Sequence, residues 1–138
     1  DMAYYSFTKA IDEGREIPVN KNGRMKRDFT YIDDIIDGIL KLLVAMPSIS
    51  SNSSSNACAP YRVLNIGNNE PVTLMRFIKA IESSLNKKAK LSMKPMQAGD
   101  VPTTYADIGA IDNLVGFKPD TSIEEGISEF VSWYKLNS

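Results

Sequence analysis

Lys26-Arg27-Asp28-Phe29-Thr30-Tyr31-Ile32-Asp33-Asp34 runs straight into the apolar pattern of Ile35 to Met46, and the rest of the chain is organised around this junction. Phe29, Tyr31 and Ile32 are β-prone residues that predict a short extended segment. The doubled carboxylate Asp33-Asp34 marks a helix start. Asp33 can accept hydrogen bonds from the first free backbone N–H groups, and either acid is favoured by the positive end of the helix dipole. Beyond them Ile36, Ile39, Leu40, Leu43 and Val44 recur at three- and four-residue steps, so one face of this helix must be covered. A strand hands over to an amphipathic helix here.

A chain of 138 residues is one domain by default and long enough to bury a core. The net charge of −1 gives no general attraction for nucleic acid or anionic lipid, so phosphate recognition has to come from a local cluster. Histidine is absent and Cys58 is the only cysteine. This excludes an intramolecular disulfide, a Ser-His-Asp triad and the usual zinc site within the chain. No apolar run approaches the roughly 20 residues of a membrane span, and the amino terminus is unlike a signal peptide, so a cytoplasmic setting without membrane contact is expected. The chain starts at Asp1, inside what reads as a helix, and is expected to be part of a longer protein.

Taken in order, Tyr4, Phe7, Ala10 and Ile11 share one face of a helix from Met2 to Glu13, with Gly14 as its stop. Ile17-Pro18-Val19 is a short strand candidate and Asn20-Lys21-Asn22-Gly23 a turn. Lys21, Arg24, Lys26 and Arg27 put four cations in seven residues, a pattern that usually forms a solvated face. Residues 47–60, rich in Ser and Asn, form a flexible loop or insertion, and Cys58 at its end has no neighbouring His to activate it. Tyr61 to Ile66 alternates as a strand does, and Gly67 to Pro71 turns the chain. Thr73 is the N-cap of a helix to Leu85, and Lys87 to Met93 is a weak strand. The loop Lys94 to Pro102, with two prolines and a glycine, is the type of segment that carries binding residues. A helix opens at Tyr105-Ala106-Asp107 and stops at Gly116. Thr121-Ser122-Ile123-Glu124 is read as a capping box, opening a last helix that buries Ile123, Ile127, Phe130, Val131 and Tyr134 and leaves Trp133 off the stripe.

The run Arg27-Asp28-Phe29-Thr30-Tyr31-Ile32-Asp33-Asp34-Ile35 resembles a signature of the extended short-chain dehydrogenase/reductase family that works on nucleotide sugars. Asp1-Met2-Ala3, Val63-Leu64-Asn65-Ile66-Gly67-Asn68 and Gly99-Asp100-Val101-Pro102-Thr103-Thr104-Tyr105-Ala106-Asp107 are most similar to its UDP-glucuronate epimerase branch. The matches fall in the family's order and span nearly the whole chain. The resemblance implies an α/β fold: residues 1–138 form the carboxyl-terminal nucleotide-sugar-binding part, with mixed short strands, about five helices by apolar periodicity, and the Rossmann core absent.

The same resemblance implies the parent's chemistry. A tyrosine removes a hydroxyl proton while NAD takes hydride from the adjoining sugar carbon; the keto sugar rotates and hydride returns to its other face. Arg27 stands where relatives place an arginine on the diphosphate, a task that suits its planar fork. Val19 and Asn20 lie beside the uridine. Many relatives have Gln two residues before that arginine; here Met25 offers no polar contact. Gln97 occupies the position of a phosphate-gripping arginine of galactose epimerases, replacing a charged bond by a neutral one. Asp100 orients a sugar or ribose hydroxyl, or caps the following turn. Tyr5 and Lys9 have the Tyr-x-x-x-Lys spacing of the family's catalytic pair, yet any helix brings such neighbours together, and the matching segment of relatives begins beyond the catalytic helix. No catalytic residue is expected in the chain.

With no Gly-x-Gly-x-x-Gly turn after a strand, the chain is expected to hold no NAD, which belongs to the parent's missing amino-terminal Rossmann domain. The expected partners are therefore a UDP-sugar and that domain, and the isolated chain should self-associate through the uncovered side of Ile36, Ile39, Leu40 and Leu43. A nucleotide-sugar dehydratase or decarboxylase, and a binding or assembly module without catalysis, remain open alternatives.

Overall fold

The computed structural model describes residues 2–45, 62–96 and 99–138. In chain order they form helix α1 (Ala3–Asp12), strand β1 (Glu16–Asn20), a 3₁₀ turn (Lys21–Gly23), strand β2 (Lys26–Arg27), helix α2 (Ile32–Leu43), strand β3 (Val72–Thr73), helix α3 (Leu74–Leu85), strand β4 (Lys90–Lys94), helix α4 (Gly109–Val115) and helix α5 (Ile123–Asn137). This is the expected α/β set of five helices and short strands; the 47–60 loop and Cys58 lie outside the described residues.

Helix α3 is the centre of the core. The Thr73 hydroxyl accepts the Arg76 N–H at 3.2 Å, as the sequence predicts, and Asn86 ends the helix in the left-handed conformation. Its buried side chains Phe77, Ile78 and Ile81 meet Ile11 of α1, Ile17 of β1 and Val131 of α5, all 1% exposed or less. Burying each such side chain contributes about 1.5–3 kcal/mol, so this group is the main source of stability. Strand β1 buries alternate residues Ile17 and Val19 and pairs in parallel with β4, from Glu16↔Lys90 to Asn20↔Lys94. Strand β2 pairs antiparallel with β3 through Lys26↔Thr73 and Arg27↔Val72, and Lys26 also bridges in parallel to Thr103. The start of the Arg27 stretch is thus held from both sides.

Several expected boundaries moved, each because a side chain found a distant partner. Phe29 to Ile32 form no strand; Phe29 instead stacks on Phe77, with ring centroids 4.6 Å apart and planes within 6°. Helix α2 starts at Ile32 with Tyr31 as an N-cap that makes no side-chain hydrogen bond, so Asp33 and Asp34 lie in its first turn. Asp34 is buried and accepts from the Thr121 hydroxyl at 3.1 Å and the Thr121 N–H at 3.4 Å. The capping box of α5 is therefore not Thr121–Glu124 but Ser122–Glu125. Thr121 is spent on Asp34, and Glu124 is taken by the Arg76 guanidinium, whose Nε and Nη2 both donate at 2.9 Å. Lys87 likewise reaches across to Asp12 at 2.6 Å, and β4 begins only at Lys90.

The described part of the expected 61–66 strand, residues 62–66, forms no strand and has no ladder partner among the described residues. On α2, Ile36, Ile39, Leu40, Leu43 and Val44 are between 45% and 84% exposed. Among the described residues, then, the apolar face whose cover the periodicity demands is open.

Candidate functional site

Backbone pairing around β2 builds the site. The Lys26 N–H donates to the Pro102 carbonyl at 2.9 Å and the Thr104 N–H donates to the Lys26 carbonyl at 3.3 Å, which draws the 100–106 segment alongside. Arg27 then reaches across: its Nη1 donates at 2.9 Å to the Lys26 carbonyl and at 2.9 Å to the Val101 carbonyl, 74 residues away in sequence. Its Nη2 lies 3.7 Å from Asp100 Oδ1, both side chains about 30% exposed. A guanidinium held through one nitrogen by two carbonyls keeps a fixed orientation while part of its fork faces solvent.

Of the residues expected at the site, Arg27 and Asp100 are brought together. Asn20 is half-buried at the end of β1, leading into the 3₁₀ turn. Val19 is fully buried in the core, so its side chain has no surface to offer a ligand and only its backbone could face one. Gln97 lies outside the described residues. Met25 is buried, which accounts for an apolar residue there. Arg24 and Lys26 are exposed and Lys21 is half-buried, as suits a solvated basic face.

Asp28 is a functional candidate that no sequence pattern singles out. One of its oxygens, Oδ2, accepts the Asn69 N–H at 3.0 Å and the Ala106 N–H at 2.8 Å, and Oδ1 accepts the Glu70 N–H at 3.3 Å. This hold on Ala106 explains why α4 opens at Gly109 rather than at Tyr105, with Asp107 Oδ1 accepting the Gly109 N–H at 3.0 Å. Beside Asp28 lies a polar cleft of about 460 Å³ lined by Thr30, Asn65, Gly67, Thr104 and Tyr105 among others. A carboxylate that works on backbone donors leaves no periodic mark in a sequence, so only its place within the Arg-Asp-Phe-Thr run could have flagged it.

A second cavity, about 400 Å³ and apolar, opens between α1, the Phe29–Ile35 segment and α5, with Tyr31 and Phe130 in its wall. Burial pushes the Tyr31 hydroxyl above its ordinary pKa, and the carboxylates of Asp33, Glu129 and Asp34 add to this. Hydrogen bonds to Glu124 and Glu70 raise Arg76, and the Arg76 hydrogen bond holds Glu124 below the usual carboxylate value. Among the described residues no group of three His, Cys, Asp or Glu could hold a metal ion.

Over residues 4–130 the chain matches the family described as GDP-mannose 4,6 dehydratase. The chain belongs to that family. It is 45% identical to protein CapI of Staphylococcus aureus, over 97% of this chain and 42% of that protein. It is 42% identical to UDP-glucuronate 4-epimerase 1 of Arabidopsis thaliana, over 97% of this chain and 32% of that protein. The solved UDP-glucuronic acid 4-epimerase of Bacillus cereus, in complex with UDP-glucuronic acid and NAD, superposes with a TM-score of 0.81 at 26% identity, covering all of this chain and 41% of that one. The chain thus spans less than half the length of these relatives. The resemblance to extended short-chain dehydrogenases acting on nucleotide sugars is borne out.

Within this family frame Tyr5 packs edge-on against Tyr134 of α5, centroids 5.9 Å apart, and Lys9 is exposed. Tyr5 therefore has a packing role. The sequence carries no Gly-x-Gly-x-x-Gly run of the kind that cradles a dinucleotide. Among the described residues no helix is long and apolar enough to cross a membrane.

Proposed function

We propose that the chain is the carboxyl-terminal, UDP-sugar-binding part of an NAD-dependent nucleotide-sugar epimerase whose substrate is UDP-glucuronate. The observation that carries this reading is Arg27, oriented by the Lys26 and Val101 carbonyls and set 3.7 Å from Asp100. In this reading the open part of its fork takes the diphosphate, while Asp100 accepts a hydrogen bond from a ribose or sugar hydroxyl and also keeps the guanidinium in place. Asn20 and the backbone of Val19 flank the uridine, and Gln97 offers a neutral contact to phosphate. Holding the nucleotide at several points fixes the sugar in one orientation, which is the binding part's contribution to rate. Proton and hydride transfer belong to residues and a cofactor outside this chain, and the chain alone turns nothing over.

The names of the relatives support the epimerase reading over the dehydratase one, while the family's description keeps the latter in play. A calorimetric titration with UDP tests the shared core of both. Saturable binding that Arg27→Ala weakens by about tenfold or more is expected, since charge-assisted bonds to a ligand contribute about 1.5–3 kcal/mol. Absence of binding by this chain, and equally by a longer protein that contains it, would favour an assembly module without a nucleotide site.

A further inference from the structure

We propose that Asp28 is the positioning residue of this site: its carboxylate fixes the Val101–Ala106 segment and the Gly67–Glu70 turn against β2, and so sets where Arg27 and Asp100 meet a nucleoside diphosphate. The ligand half of this proposal rests on the UDP-sugar reading; the clamp itself does not.

The Val101–Ala106 segment is held at both ends by consecutive residues. At one end the Val101 carbonyl accepts from Arg27 Nη1 at 2.9 Å; at the other the Ala106 N–H donates to Asp28 Oδ2 at 2.8 Å. Between these points the Lys26 backbone bonds Pro102 and Thr104. The same Asp28 carboxylate gathers the Asn69 and Glu70 amides from a turn about forty residues on. Gly67 gives an independent sign of how closely the two segments meet. A Cβ there would lie 2.5 Å from the Ala106 Cβ and 3.3 Å from Asp28 Oδ2, so no side chain fits between them. Its φ is not in the left-handed region, so the need for glycine comes from this approach and not from backbone conformation. Three N–H donors converging on one side chain require an acceptor with two charged oxygens. An amide would turn its own N–H groups toward at least one of them.

The test compares the wild-type chain with Asp28→Asn, Gly67→Ala and the paired Gly67→Ala/Ala106→Gly variant. Asp34→Asn is the control, because that carboxylate likewise accepts from a residue distant in sequence but holds Thr121, just ahead of α5, instead. Two quantities are read: hydrogen exchange of the Asn69, Glu70 and Ala106 amides by NMR, and UDP affinity by calorimetry well below the melting temperature. The expected result is faster exchange at the three amides and about tenfold weaker UDP binding in Asp28→Asn. Gly67→Ala should weaken UDP binding as well, and the paired variant should recover part of the loss. Asp34→Asn should lower the melting temperature and leave UDP affinity unchanged. Unchanged exchange in Asp28→Asn overturns the clamp. Faster exchange with unaltered affinity overturns the positioning role, as does an equal loss of affinity in Asp34→Asn. Protected amides with no uptake of UDP by the wild-type chain, and equally by a longer protein that contains it, overturn the nucleotide reading and the ligand role of Asp28 with it, leaving the clamp standing.

Discussion

Gly38 offers a case in which two known effects oppose each other and the structure decides the sign. It lies on the buried side of α2, and a Cβ added there would sit 2.7 Å from Ile66 Cδ1 and 2.8 and 2.9 Å from Phe117 Cδ2 and Cε2. In an open helix, Gly→Ala stabilises by about 1 kcal/mol, through restriction of the unfolded chain. Against this, forcing a methyl into a filled space costs about 1–3 kcal/mol. Ile66 is half-buried and presents the end of a flexible chain, so it gives way cheaply. Phe117 does not, because its ring is fully buried and has no free volume to turn into. The upper half of the overpacking range therefore applies, and Gly38→Ala should be destabilised by about 1–2 kcal/mol, or roughly 3–6 °C in melting temperature for a chain of this size. Thermal unfolding followed by circular dichroism, with urea melts as a check, measures it. Ile66→Val removes the nearer methyl and should cost less in the Gly38→Ala background than alone, a coupling that a double-mutant cycle reads directly. If Gly38→Ala melts at or above the wild type, the close packing of α2 on Phe117 is not as described and the reasoning fails.

The Arg76–Glu124 pair predicts a pH dependence. The folded-state pKa of Glu124 lies below its ordinary value near 4.5, so its contribution is full above that pH and is lost as the pH falls through the lowered value. Both side chains are about half exposed, which limits the effect: Glu124→Gln should cost at most about 1 kcal/mol at pH 7 and less at pH 3. An equal deficit at both pH values in urea melts would show that the ion pair is not the cause. On α2, the open face carrying Leu40 and Leu43, 59% and 71% exposed, should drive self-association of the isolated chain. Sedimentation velocity should show the wild type concentration-dependent and Leu40→Lys/Leu43→Lys monomeric; a wild type that stays monomeric at high concentration refutes the idea.

Local signals were enough to reveal where most helices lie. The apolar rows of α3 and α5, the Thr73 cap and the Gly116 stop can be read from the chain because each depends on residues three or four apart. The family could be read because a run of nine residues keeps its order. What the sequence did not determine was how polar side chains would be shared among segments. Asp34 took Thr121, Arg76 took Glu124 and Asp28 took Ala106, each across more than forty residues, and with them moved the start of α2, the cap of α5 and the start of α4. Phe29 gave up strand pairing to stack on Phe77 for the same reason. One carboxylate can satisfy a nearby amide or a distant one equally well, and only the packed core, which decides which segments lie side by side, breaks that tie. The site follows suit: residue types came from the chain, but the meeting of Arg27, Asp28, Asp100 and Gly67 came from the fold.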